Sequence, residues 1–127
     1  MSLQIIETSR APQAIGTYSQ AIRTGDTVYV SGQLPIDPAT GQLVNGGIDA
    51  EIRRVFDNLQ AIAKAAGGSL ANVAKLGVFL TDVANSGRVN EIMAQYFSKP
   101  FPARAAVGVA QLTRGARVEI ECVLALN

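Results

Sequence analysis

One stretch limits the fold more than any other. Between Ile48 and Ala66 the residues Ile48, Ile52, Val55, Phe56, Leu59, Ile62, Ala63 and Ala66 recur with the period of a single buried helical stripe. Asp49 and Glu51 suit the positive end of that helix, and Gly67-Gly68 suits its stop. A stripe of this length needs an apolar surface to lie on, and the end of the chain supplies one. From Ala116 to Leu126 the sequence alternates: Val118, Ile120, Cys122, Leu124 and Leu126 point one way, Arg117, Glu119, Glu121, Val123 and Ala125 the other. The first set belongs under helices. The second face is mixed and calls for a different cover.

The rest of the chain fills in the sheet. Ile5 and Ile6 read as a short first strand, followed by an irregular connector at Ala11-Pro12-Gln13-Ala14-Ile15-Gly16. Thr17 to Arg23 reads as extended, and Gly25-Asp26 turns it into Thr27 to Gly32 as a hairpin. Gly32 and Pro35 stop that strand and leave backbone amides free for a ligand. Residues 35–47 are rich in Pro, Asp, Thr, Gly and Asn and predict a long surface loop with a turn at Asp37 to Gly41. After the main helix, Ser69 caps a short turn, and Val73 to Leu80 predicts a strand apolar on both parities and therefore covered on both faces or nearly so. Ser86 is read as the cap of a second helix with the stripe Val89, Ile92, Met93, Tyr96 and Phe97. Ala103 to Val109 and Ala116 to Leu126 close the order β, hairpin, α, β, α, β, β. That order is an α+β fold, a sheet with two helices on one face. Small residues on the penultimate strand suit close approach of another copy.

Length and composition narrow the function. At 127 residues the chain is expected to form one domain, 1–127, burying roughly two-thirds of its unfolded surface. Eleven basic residues against ten acidic give +1 without blocks of either sign, which argues against nucleic acid or a membrane surface as partner. No apolar run approaches the ~20 residues of a membrane span, and no signal peptide pattern opens the chain, so a soluble cytoplasmic protein is expected. With one cysteine there is no intramolecular disulfide, and with no histidine the commonest metal ligand and general base are both missing. Chemistry here rests on carboxylates, hydroxyls, arginine and backbone groups.

Few residues stand out. Arg104 offers a planar fork of donors matched to a carboxylate among small neighbours, or else makes a structural ion pair with Glu119 or Glu121, or is an exposed strand arginine. Glu119, between Val118 and Ile120, is either a partly desolvated general base or one more solvated strand residue. Cys122 lies on the apolar parity and reads as a buried structural thiol. Tyr18 and Ser31 sit at strand ends beside loops, and Asn90 lies near the start of the second helix. No phosphate loop, dinucleotide fingerprint, zinc spacing or Ser/His/Asp set is present. The residues by themselves reach a small-anion site and no further.

Four separated motifs taken together go further. Gly16-Thr17-Tyr18-Ser19-Gln20-Ala21, Ser31-Gly32-Gln33-Leu34-Pro35, Phe101-Pro102-Ala103-Arg104 and Val118-Glu119-Ile120-Glu121 resemble, in order and nearly end to end, the Rid or YjgF family and its RidA-type enamine/imine deaminases. The resemblance implies a chorismate-mutase-like fold with a mixed β-sheet, and a homotrimer whose sheets form a central barrel with a site in each cleft between subunits. It implies hydrolysis of reactive enamines and imines such as 2-aminoacrylate and 2-iminobutanoate to 2-oxo acids and ammonia, without metal or organic cofactor. Carried over residue by residue, Arg104 holds the substrate carboxylate and Glu119 orients or activates the attacking water. Tyr18, Ser31, Gly32, Asn90 and Ala106 match positions lining the cleft. Two departures are visible: Thr17 stands where proline is common, and Ala106 where many members have cysteine. A non-catalytic 2-oxo-acid binder is the alternative, and a ribonuclease or translation inhibitor a weaker one given the near-neutral charge.

Overall fold

The computed structural model describes residues 2–127; Met1 of the expected 1–127 domain lies outside them. The elements are β1 (Gln4–Ile6), β2 (Ala21–Thr24), β3 (Thr27–Gln33), β4 (Ile36–Asp37), β5 (Gln42–Leu43), α1 (Ile48–Ala65), β6 (Val73–Leu80), α2 (Ser86–Tyr96), β7 (Ala103–Gly108) and β8 (Val118–Ala125). Six strands form one sheet in the order β1-β2-β3-β8-β6-β7, while β4 and β5 make a small ladder of their own. Every pairing in the large sheet is antiparallel except β6 with β7, which is parallel and connected through α2. The result is the expected mixed α+β sheet.

Both helices lie on one face. Ile52, Val55, Phe56, Leu59 and Ile62 of α1 join Val28, Leu76, Val78, Leu80, Val118, Ile120 and Leu124 of the sheet in one buried cluster, to which Val89, Ile92 and Met93 of α2 belong. Phe56 ties the helices together, its ring 5.2 Å from Tyr96 and 5.7 Å from Phe97. Burial and the neighbouring Asp57, which accepts from the hydroxyl at 2.8 Å, push Tyr96 up to about 12. Arg88 on α2 bridges to Asp49 at 2.7 Å and also meets Glu91, while Arg117 meets the buried Glu51 of α1. Helix α1 stops in a Schellman turn, with Gly67 N–H donating to Lys64 and Gly68 N–H to Ala63, both at 3.0 Å.

Four local expectations change. Only Ala21–Thr24 of the stretch from Thr17 to Arg23 pairs as strand, because Tyr18 to Gln20 bend away toward the N-terminal connector. Residues 35–47 are a loop that contains the β4–β5 ladder, closed by the Asp37 turn in which Gly41 N–H donates to the Asp37 carbonyl at 2.8 Å. Ser86 is the first helical residue rather than the cap, since a short turn at Val83–Asn85, capped by Asp82, runs directly into α2. Strand β6 is covered on one face only: Leu76, Val78 and Leu80 are buried, whereas Lys75, Gly77 and Phe79 lie on the face without helices. Strand β7 is an edge strand exposed at all of its residues, with Val107 and the preceding Phe101 open to solvent.

Candidate functional site

Strand β8 runs between β3 and β6, so Glu119 stands near the middle of the sheet, opposite Phe79 on the open face. On its other side the register shifts: Val30 pairs with Cys122 but Gln33 with Ile120, so Ser31 and Gly32 together face one residue of β8. That bulge brings the Gly32 backbone against the Glu119 side chain. A Cβ on Gly32 would lie 2.0 Å from Glu119 Oε2, so the carboxylate occupies the space where a side chain at 32 would be. Burial first, and the Glu121 charge second, raise the Glu119 carboxyl above its usual 4.5. A half-buried carboxylate with an elevated pKa is the chemistry of a general base.

Ser31 links this bulge to Tyr18. Its N–H donates to the Gln20 carbonyl at 2.9 Å and its hydroxyl to the Ser19 carbonyl at 2.6 Å. Tyr18, 53% exposed, lies beside Gly16 on an open groove of about 700 Å³ that Ile5, Thr8, Ala14, Ser19 and Gln20 also line. Ser31, Gly32 and Glu119 thus share the bulge of β3, and Tyr18 is next in the chain to the Ser19 that Ser31 holds.

Arg104, Ala106 and Asn90 form a second neighbourhood. In the parallel pairing Arg104 stands beside Leu76 and Ala106 beside Val78. Leu76 and Val78 are buried under the helices, so Arg104 and Ala106 face the helix side of the sheet, at its rim. The Arg104 guanidinium donates through Nη1 to Met93 Sδ at 3.4 Å, and Asn90 is exposed on α2 one turn before Met93. Among the described residues Arg104 makes no ion pair, so the structural pairing with Glu119 or Glu121 is not formed. A thioether is a neutral acceptor, which leaves the full charge and most of the donor fork of Arg104 available.

The two neighbourhoods do not converge within one chain. Strand β6 separates β7 from β8, placing Arg104 and Glu119 two strand spacings apart across the sheet, about 10 Å, three residues apart along it, and on opposite faces. Sequence reading missed Met93 and Gln20. Met93 fits the core stripe of α2, and its contact with Arg104 depends on the register of β7. Gln20 is buried although polar, and only its place between Ser19 and Ala21 in a motif hinted at it. Cys122 is buried, and burial with the Glu121 charge pushes its thiol up to about 12, which makes it a poor nucleophile at neutral pH. Among the described residues no three acidic or cysteine side chains come together as a metal site, and no helix is long and apolar enough to cross a membrane.

The sequence and the fold resemble those of known proteins over nearly the whole chain. The human 2-iminobutanoate/2-iminopropanoate deaminase is 49% identical over 120 residues, covering 94% of this chain and 88% of the human one. The crystal structure of RidA from the Antarctic bacterium Psychrobacter sp. PAMC 21119 superposes with a TM-score of 0.93 at 51% identity, covering 96% of this chain and 98% of that one. E. coli TdcF with bound serine superposes with a TM-score of 0.92 at 37% identity, covering 98% and 99%. The family described as Endoribonuclease L-PSP matches residues 8–126, and this chain belongs to that family, the Rid or YjgF family.

Proposed function

We propose that this protein hydrolyses small 2-imino acids and their enamine forms, such as 2-iminobutanoate and 2-aminoacrylate, to 2-oxo acids and ammonia. The observation that carries the reading is the pair of prepared groups: among the described residues, a guanidinium without a carboxylate partner and a carboxylate held half-buried without a cation. Arg104 takes the substrate carboxylate in its fork, which fixes C2 of the imine. Glu119 removes a proton from water as the oxygen attacks C2; the proton passes to nitrogen, and ammonia leaves the carbinolamine as the carbonyl forms. Tyr18, Ser31, Gly32, Asn90 and Ala106 line the cleft. An imine carbon is already electrophilic, so neither metal nor organic cofactor enters the scheme. The relatives named for 2-iminobutanoate and 2-iminopropanoate, and the serine-bound relative, support a small amino-acid-like substrate.

In the same reading the active unit is a homotrimer with sheets around a central barrel, Arg104 of one copy and Glu119 of the next sharing each cleft. Their places on opposite faces of one sheet, and the wholly exposed edge strand β7, support this. It is a single-domain protein of the cytoplasm.

Two experiments test the proposal. In the first, a threonine dehydratase generates 2-iminobutanoate in place, and the protein is expected to accelerate oxo-acid release; binding of oxo acids without any acceleration would favour the non-catalytic alternative. In the second, Arg104→Ala and Glu119→Gln proteins, each inactive, are unfolded together and refolded as a mixture. Random assembly gives about one site in four with both native groups, so about a quarter of the native activity returns. A site built within one chain would recover none.

A further inference from the structure

We infer that Gln20 is a positioning residue for this chemistry, acting through Tyr18. Its side chain is 4% exposed and makes four hydrogen bonds to the backbone of the N-terminal connector. Oε1 accepts from Thr8 N–H at 2.7 Å, and Nε2 donates to the carbonyls of Thr8 at 3.0 Å, Pro12 at 2.8 Å and Ala11 at 3.3 Å. The amide satisfies both backbone groups of Thr8, as a neighbouring strand would. It therefore holds a segment that no strand reaches.

The Gln20 and Ser19 carbonyls meanwhile receive the N–H and hydroxyl of Ser31, at 2.9 and 2.6 Å. The two residues that follow Tyr18 are thus fixed from both sides, by the connector through the Gln20 amide and by β3 through Ser31. Tyr18 itself is half exposed on the groove, with its ring beside Gly16. With threonine rather than proline at 17, ring constraint does not set the backbone before Tyr18, and the hydrogen bonds hold the chain on its other side, at Ser19 and Gln20. One buried amide therefore ties the groove wall at Thr8 to the backbone two residues after Tyr18. Loss of that amide displaces Tyr18 while leaving Glu119 and Arg104 where they are.

The activity part of this inference rests on the deaminase reading, and a double-mutant cycle with an exchange measurement separates the two. Gln20→Leu is expected to lower kcat/KM for 2-iminobutanoate by about tenfold, and in a Tyr18→Ala background by less than about twofold, because the second change has already removed what Gln20 positions. Amide hydrogen exchange in residues 8–19 rises, while α1 and β8 keep their protection. If Gln20→Leu fails to fold, Gln20→Glu is the second variant, since it keeps the acceptor for Thr8 N–H and loses only the donors. An equal loss of activity in both backgrounds, unchanged activity, or unchanged exchange in 8–19 would overturn the inference. If the unsubstituted protein hydrolyses no imine, the deaminase reading falls, and the exchange result alone decides whether Gln20 orders Tyr18.

Discussion

Gly32→Ala probes the site at its tightest contact. Gly32 is absent from the glycines with positive φ, so alanine there adds no backbone strain and the whole perturbation is one methyl group. That methyl would sit 2.0 Å from Glu119 Oε2, 2.9 Å from its Cδ and 3.1 Å from its Cγ. Ordinary contact is about 3.5–4.0 Å, so the carboxylate must retreat by about 1.5 Å or more. It is the far end of a flexible side chain, and a change of rotamer costing about 1 kcal/mol suffices without moving β8. Stability therefore falls little, a few degrees in Tm. Activity falls far more, on the order of 10²-fold in kcat/KM, because a displacement of about 1 Å at a reacting group costs that much. The pH profile gives a second signature. In the proposed reaction only ionised Glu119 can act as base, so activity is expected to be lost as pH falls through its pKa, which burial holds above the usual value. Pushed toward water, the carboxyl loses part of that elevation, and the acid limb moves to lower pH. Dehydratase-coupled rates across pH, with melting curves alongside, read both effects. Native activity with an unmoved acid limb would refute the assignment of Glu119 and the role of the bulge.

Other perturbations separate charge, geometry and packing. Glu119→Gln lowers kcat by about 10²–10⁴ as loss of a general base does, with little change in KM. The same variant is expected to be at least as stable as the native protein at pH 7 in urea unfolding. The folded-state pKa of Glu119 exceeds its unfolded value, so the folded state binds the proton more readily, and stability falls as pH rises through that window; glutamine removes this cost, and the difference vanishes below the usual carboxylate pKa. Arg104→Lys keeps the charge but gives up the fork, and kcat/KM falls about 10–10²-fold, while stability stays within about 0.5 kcal/mol because Arg104 is exposed and makes no ion pair among the described residues. Met93→Leu keeps the packing volume and removes the sulfur that Arg104 meets, so KM rises about threefold with kcat and Tm nearly unchanged, as steady-state kinetics and melting will read.

What the residues disclosed follows the range of the forces involved. Helix α1 was legible because eight apolar positions and a double glycine all state one local geometry, and it ends within a residue of the reading. Strand β8 announced itself by alternation, and β6 ran between its expected ends. The N-terminus of α2 was misread because Asp82 caps a preceding short turn that merges with it, leaving Ser86 nothing to cap. Tyr18 to Gln20 read as strand because their composition permits it, but the Gln20 amide bends them toward Thr8, a contact across twelve residues that no local pattern contains. For the site, residue types were visible and relations were not. That Gly32 is small to admit the Glu119 carboxylate depends on a bulge between strands distant in sequence. That Arg104 faces the helix side depends on its pairing with Leu76 across a parallel register that side-chain alternation in β7 alone leaves open.

That last relation carries a physical consequence. An arginine and a glutamate meeting on one face of a single sheet would pair: the guanidinium fork would close on its own carboxylate, and the carboxyl would fall below the usual range. Neither would then be ready for a substrate. Held on opposite faces, Arg104 donates to a thioether and Glu119 lies against Gly32 and near the acidic Glu121, and among the described residues neither has an ion-pair partner, so folding leaves one positive and one elevated acidic group uncompensated. Assembly, in the proposed trimer, then brings a guanidinium of one copy to a cleft where the substrate carboxylate can take the fork, and the glutamate is left to act on water. In that proposed trimer, the separation within a chain keeps both groups chemically competent until they meet across the interface.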